Sequence, residues 1–378
     1  MLRWNDDMNT ARASGLDGIV VAHTELSDVD GEHGRLVIRG CSVEDLAGRA
    51  TFEDLCGLVW TGEWPSAGVG GDLRAALATG RRDAFARLNS LGAALDAGDG
   101  MDALRAAVGQ LTAADPAIDR LQVTAAIPVF AAAWARRQAG QPVVPPRPEL
   151  SHAADYLQML TGRLPGASHA AALDAYFACV VDHGMNASTF AARVVASTGA
   201  DLVSAVVAGI CALKGPLHGG APGPVLDMLD AIGRRESVRA WLEAELAAGR
   251  RIMGMGHRIY RVRDPRAAAL ERVTSSLERS HADDRRLALA RAVEQEAERL
   301  LAERYPARGL RANVEFYTAI LLDALGIPRS LFSATFAVSR VVGWCAHVDE
   351  QRRAGRLIRP ASVYVGAAAA APGARPIS

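Results

Sequence analysis

Four polar clusters interrupt otherwise apolar stretches of this 378-residue chain, and their side chains define the chemistry on offer. One of them, Lys214-Gly215-Pro216-Leu217-His218-Gly219-Gly220-Ala221-Pro222, holds a histidine between helix-breaking glycines and prolines. An imidazole on such a break can present one nitrogen to a ligand carbonyl. The plainer reading is a Gly-Pro loop with an incidental histidine. A second runs from Gly254-Met255-Gly256-His257-Arg258 through Ile259-Tyr260-Arg261-Val262-Arg263 to Asp264-Pro265-Arg266 and packs one histidine and four arginines into ten residues. Its glycines let a ligand approach the backbone, and guanidinium forks hold carboxylates or phosphates bidentately. A solvated basic face is the alternative. The third glycine of a dinucleotide fingerprint is missing, as is the strand before it.

The other two clusters supply a histidine and a carboxylate. In Asp182-His183-Gly184-Met185-Asn186-Ala187-Ser188-Thr189, His183 and Asn186 lie three apart, which would place them on one side of a helical turn. A capping or core-polar role competes with that reading. In Asn313-Val314-Glu315-Phe316-Tyr317 a carboxylate sits between apolar neighbours. Desolvation there would raise its pKa and make it a better base, although a lone glutamate on a helix is usually surface. Ser339-Arg340 and Leu357-Ile358-Arg359-Pro360 follow and add two more arginines.

The elements that must position these groups are mostly helical. Ile19 to Leu26 is rich in Ile, Val and Thr and reads as a strand. A turn around Asp30-Gly31 then leads to a second strand over Arg35 to Arg39. Ser42 caps a helix ahead of Leu46, and Trp60 to Pro65 reads as a stop and a turn. Residues 72–95 and 101–113 carry helical spacing, and Pro142 to Pro148 is a loop. Asp283 or Asp284 would cap a helix with Ala290, Val293, Ala297, Leu300 and Leu301 on one face, and Pro328 opens a helical stretch that reaches Arg352. The tail after Gly366 reads as disordered or loosely docked. No repeat of 20–50 residues is visible.

Composition narrows the function. Lys+Arg and Asp+Glu both number 42, so a dedicated nucleic-acid binder or a polybasic membrane protein is disfavoured. Lys214 is the sole lysine, and the arginine excess suits anionic ligands. Cys41, Cys56, Cys179, Cys211 and Cys345 are scattered, without a CxxC, so neither a disulfide framework nor a zinc site is indicated and a cytoplasmic setting is expected. The first residues lack an apolar signal segment, and Leu121 to Ala135 is too short to span a bilayer of about 20 residues and contains Pro128.

Taken in order, GPLHGGA, GMGHRIYRVRDPR, NVEFY, SR and RP resemble the citrate synthases, in particular the shorter bacterial citrate/2-methylcitrate synthase group. The resemblance runs from Gly15-Leu16-Asp17-Gly18-Ile19-Val20 to Tyr364-Val365-Gly366 and is loose over residues 66–150. It implies a mainly α, two-domain fold. A large domain would be formed by 1–221 and 327–378, and a small domain at 222–326 would close over oxaloacetate. It implies that His218 donates a hydrogen bond to the acyl-CoA thioester carbonyl and that His257 polarises the oxaloacetate ketone. Glu315 would remove the acyl α-proton. His183, Arg266, Arg340 and Arg359 would hold oxaloacetate, with Arg359 reaching across a homodimer interface. Arg258 and Arg261 are candidates for the CoA phosphates. No metal and no cofactor beyond the acyl-CoA substrate is implied. Two departures stand out: the family's base is aspartate where this chain has Glu315, and many relatives have DHE where this chain has Asp182-His183-Gly184. The expected reaction is condensation of acetyl-CoA with oxaloacetate and hydrolysis to citrate and CoA. The alternatives are a 2-methylcitrate synthase using propionyl-CoA, and a weakly catalytic paralogue that binds acyl-CoA or dicarboxylate.

Overall fold

The computed structural model describes residues 16, 18–65, 67–111, 116–219, 222–278, 285–362, 364 and 366. Among them are fifteen α-helices and one small antiparallel sheet. The sheet holds β1 (Ser27–Asp30), β2 (Arg35–Ile38) and β3 (Cys41–Ser42), with Ser27 opposite Ile38 and Asp30 opposite Arg35. The first strand therefore begins after the segment that strand propensity favours. Ile19 and Val20 are 61% and 77% exposed and belong to no strand among the described residues, so burial does not reward their pairing. The polar Ser27–Asp30 pairs instead, since β2 inserts Leu36 and Ile38 into the core and fixes the register opposite it.

The helices are α1 (Val43–Arg49), α2 (Phe52–Thr61), α3 (Ala67–Ala86), α4 (Gly100–Val108), α5 (Pro116–Gln138), α6 (His152–Thr161), α7 (Ala167–Val180), α8 (Ala187–Ser197), α9 (Leu202–Leu213), α10 (Pro222–Ile232), α11 (Val238–Ala247), α12 (Pro265–Glu278), α13 (Arg285–Arg304), α14 (Val314–Ala324) and α15 (Phe332–Ala354). Their starts are written in the sequence as side-chain caps: Ser42 for α1, a Thr51–Asp54 capping box for α2, Asn186 for α8, Asp201 for α9 and Asn313 for α14. Short 3₁₀ turns occupy 87–96, where helical spacing predicts one continuous helix, and α4 stops at Val108. The loop at 142–148 is as expected, and all five predicted apolar positions of α13 are buried. The proposed cap at Asp283 or Asp284, and the tail after Gly366, lie outside the described residues.

The core is organised by α15. Residues 329–354 are by length and composition apolar enough to cross a membrane, but 89% of their qualifying 18-residue window is buried, and α15 packs on α2, α5, α7, α8 and α9, as the central helix of a folded domain does. Trp344 on α15 packs so closely on α9 that a Cβ on Gly209 would stand 2.9 Å from its ring. The helix pair α12 and α14 packs together, and α12 also rests on α1 and α7. These contacts bring the polar clusters together.

Candidate active site

Each polar cluster sits at a helix end, where the backbone turns and leaves donors and acceptors unpaired. Segment 181–186 is not a helical turn, contrary to the His183–Asn186 spacing argument. It is a bend between α7 and α8 in which Gly184 adopts φ +58°, and Asn186 is the cap of α8. His183 and Asn186 thus serve different purposes. His183 is buried in the cleft, with Nε2 3.2 Å from the Tyr260 hydroxyl. Burial, then the nearby guanidinium of Arg266 and, less, that of Arg340, holds its pKa well below the usual histidine value.

His218 lies in the turn after α9. Its Nε2 accepts the Ser188 backbone N–H at 3.3 Å and lies 2.8 Å from Ser188 Oγ. Trp344 Nε1 donates to that same hydroxyl at 3.1 Å. An Nε2 that accepts a backbone N–H carries no proton, so the ring's proton is on Nδ1. Burial, and then the Arg340 guanidinium, lowers the His218 pKa to about 4, so the ring is a neutral donor at pH 7.

His257 is fixed in the opposite tautomer. Its Nδ1 accepts from the backbone N–H groups of Ile259 at 3.0 Å and Tyr260 at 3.1 Å, which leaves the proton on Nε2. Its pKa is also about 4, lowered by burial first and by Arg266 next. Arg266 Nη2 lies 3.4 Å from that Nε2. Two donors facing the same space can both be satisfied by a carbonyl or carboxylate oxygen placed between them. The Arg266 guanidinium is held in place by Asp264 through Nε at 3.0 Å and Nη2 at 2.7 Å. Asp264 also begins α12 in an Asp-Pro pair and accepts the Val314 N–H at 3.1 Å, which ties α12 to the start of α14.

Glu315 occupies the first turn of α14. Desolvation raises its pKa to about 7, against the opposing pull of Arg266. Asn313 fixes its backbone: Oδ1 accepts the Glu315 N–H at 3.0 Å, Nδ2 donates to the Gly256 carbonyl at 2.8 Å, and its own N–H donates to Gly254 O at 2.9 Å. Arg340 is buried under the site. Its Nε donates to the Val180 carbonyl at 2.6 Å, its guanidinium lies 4.7 Å from the Phe336 ring, and its buried Nη1 has no hydrogen-bond partner among the described residues. Burial lowers its pKa to about 10, so it stays charged at pH 7.

The structure therefore gathers His183, His218, His257, Arg266, Glu315 and Arg340 in one neighbourhood: the His183 and His257 rings are 5.6 Å apart, Arg266 lies beside His257 and its charge acts on Glu315, and Arg340 and His218 both pack against Phe336. Arg258 and Arg261 lie exposed on the loop that carries His257. Arg359 is apart from the cluster, exposed on the segment after α15 that Ile358 N–H fastens to Ser197 Oγ at 3.0 Å. Sequence reading passed over Asn313, Asp264, Ser188 and Tyr260. The first two carry a readable signal, a capping residue just ahead of an apolar helical run; the last two show none, because their partners are 30 and 77 residues away.

The arrangement offers two neutral histidine donors of opposite tautomer, a carboxylate poised near neutral pH, and two buried arginines. The family profile described as citrate synthase, C-terminal domain, matches residues 15–361. A citrate synthase of Haloferax volcanii is 37% identical over 381 aligned residues, covering 93% of this chain and 95% of that one. A 2-methylcitrate synthase of Mycobacterium tuberculosis is also 37% identical, over 93% of this chain and 90% of that one. The solved ternary complex of carboxymethyl coenzyme A and oxaloacetate with citrate synthase from Thermoplasma acidophilum is similar with a TM-score of 0.85, 26% identity and coverage of 94% and 97%. The chain belongs to the citrate synthase family, and so to the acyltransferases of the condensing type. The mainly α fold expected from the resemblance is the fold it has.

Proposed function

We propose that this protein is a citrate synthase that condenses acetyl-CoA with oxaloacetate and hydrolyses the resulting thioester. The observation that carries this reading is the fixed pair of tautomers. His218 keeps Nδ1–H for a thioester carbonyl because Ser188 holds Nε2, and His257 keeps Nε2–H for a ketone because two backbone amides hold Nδ1. A thioester α-proton is weakly acidic, so its removal needs the enolate charge met as it forms. A preorganised donor in a dry cleft does this. Glu315 then takes the proton, and the enol carbon attacks the ketone carbon while His257 donates to the developing alkoxide. Arg266 and Arg340 hold the two carboxylates of oxaloacetate, with His183 beside them. Arg359 completes the pocket from a second copy of the chain, and Arg258 and Arg261 take CoA phosphates. Water finally cleaves the thioester and releases CoA. The segment 222–326 closes on 1–221 and 327–378 to exclude water during the condensation.

A 2-methylcitrate synthase is the second reading, favoured by the equal 37% identity to relatives of both names. One methylene in a pocket is worth only about 1–3 kcal/mol, so the two acyl chains differ by little in binding. A competition assay separates them. With equal acetyl-CoA and propionyl-CoA and limiting oxaloacetate, mass spectrometry of the products is expected to show citrate in excess. An excess of 2-methylcitrate would move the assignment to propionyl-CoA, and absence of both acids would overturn the condensing activity.

A further inference from the structure

Ser27, Gly31 and Gly34 have no part in the chemistry above, yet each touches a loop that does. Polar contacts cross the hairpin that carries them. Asp30 accepts the His33 N–H at 3.0 Å and lies 2.9 Å from His33 Nδ1, and Arg35 reaches across to Asp28 at 3.0 Å. From β1, Ser27 Oγ accepts the Gly184 N–H at 2.8 Å and donates to Asp182 Oδ2, so it grips both neighbours of His183. Val29 lies alongside, its Cγ2 3.4 Å from where a Cβ on Gly184 would stand.

The tip of the same hairpin meets the other half of the cleft. The Gly31 carbonyl accepts the Arg261 N–H at 2.9 Å. A Cβ on Gly31 would stand 2.3 Å from the Ile259 carbonyl oxygen, and one on Gly34 would stand 2.6 Å from Val262 Cγ2. A side chain at Gly31 would have to displace the Ile259 backbone, and one at Gly34 the Val262 side chain. Residues 259–262 include Ile259 and Tyr260, whose amides hold His257 Nδ1 and set its tautomer.

We propose that the β1–β2 hairpin is a positioning element for the dicarboxylate pocket, setting His183 through Ser27 and His257 through the Gly31–Gly34 tip. The proposal deepens the reading of the cleft as an oxaloacetate site and rests on it. A displacement of about 1 Å in a reacting group costs on the order of 100-fold in rate, so small shifts of the tip are measurable.

The test compares Gly31→Ala, Ser27→Ala and a tip control, Glu32→Ala, in the full-length protein. Two readouts are taken: steady-state constants for oxaloacetate and acetyl-CoA, and amide hydrogen exchange by mass spectrometry. Gly31→Ala is expected to raise the oxaloacetate KM at least about tenfold while the acetyl-CoA KM changes by less than about threefold, and to speed exchange at 257–263. Ser27→Ala, which adds no bulk and so keeps the test alive should Gly31→Ala misfold, is expected to raise the oxaloacetate KM likewise and to speed exchange at 182–186. Glu32→Ala should match wild type in both. A wild-type oxaloacetate KM in Ser27→Ala, or wild-type exchange in the matching loop of a folded variant, would overturn the proposal. If wild-type protein itself shows no oxaloacetate-dependent turnover, the functional reading fails, and the exchange profiles still decide whether the hairpin holds the two loops.

Discussion

The Glu315 carboxylate extends one methylene further than the aspartate of the family's motif, from a backbone that has little room to compensate. Asn313 is anchored to the carbonyls of Gly254 and Gly256, and the Val314 N–H to Asp264, so the start of α14 cannot slide to carry a shorter side chain forward. Glu315→Asp would withdraw the base by roughly 1 Å, and we expect a loss of about 100-fold in kcat with little change in oxaloacetate affinity. A rate gain would show instead that Glu315 is an impediment. Its pH behaviour follows from its environment. The base works as the carboxylate, and burial puts its pKa at about 7. As pH falls through 7 the free enzyme protonates it, so kcat/KM should decline on the acid side with an apparent pKa near 7 rather than near the 4.5 of an exposed glutamate. His218 and His257, with pKa values of about 4, stay neutral across that range and should add no second limb there.

Helix starts are the elements that aim this chemistry, and Asn313 is the one with the most attached to it. Asn313→Ala removes the cap of α14 and the bond to the Gly256 carbonyl, next to His257. Loss of the cap costs about 1 kcal/mol. Thermal unfolding should show a modest drop, whereas kcat should fall more than about tenfold because base and donor both lose their seat. Asn313→Asp keeps the cap acceptor and should recover most of the stability but only part of the rate. Equal recovery of both would mean that the residue is structural only. The same elements explain what could be read from the chain. Helices α1 and α13 were legible, α1 from its capping Ser42 and α13 from its apolar stripe, because both signals are local. His218, His257 and Glu315 were legible as a set through the order of their motifs. The position of β1 was not, because Ser27–Asp30 has poor strand propensity and pairs only where β2 and the 259–262 loop hold it. The bend at 181–186 was missed for a similar reason: Gly184 takes φ +58° against Val29, a partner 155 residues away. Ser188, whose backbone N–H sets the His218 tautomer, and Trp344, which donates to the Ser188 hydroxyl, meet across 156 residues.

At the scale of the whole molecule, one chain supplies six of the seven proposed catalytic and oxaloacetate-binding groups to its cleft, and Arg359 stands exposed outside it. If Arg359 acts in the site of a second copy, Arg359→Ala and His257→Ala subunits are each inactive alone but complement when mixed. A heterodimer then holds one complete site, and random exchange should restore about a quarter of wild-type activity. No recovery would place Arg359 in its own chain's site or outside the reaction. All of these outcomes presuppose a condensing enzyme, and one measurement tests that most directly: release of free thiol from acetyl-CoA by the purified protein, with and without oxaloacetate. Thiol release is expected to depend on oxaloacetate and to fall by about 100-fold or more in Glu315→Gln. Release that ignores oxaloacetate, or that survives Glu315→Gln unchanged, would contradict the reading as a condensing enzyme, as would a folded protein that binds oxaloacetate and releases no thiol from either acetyl-CoA or propionyl-CoA.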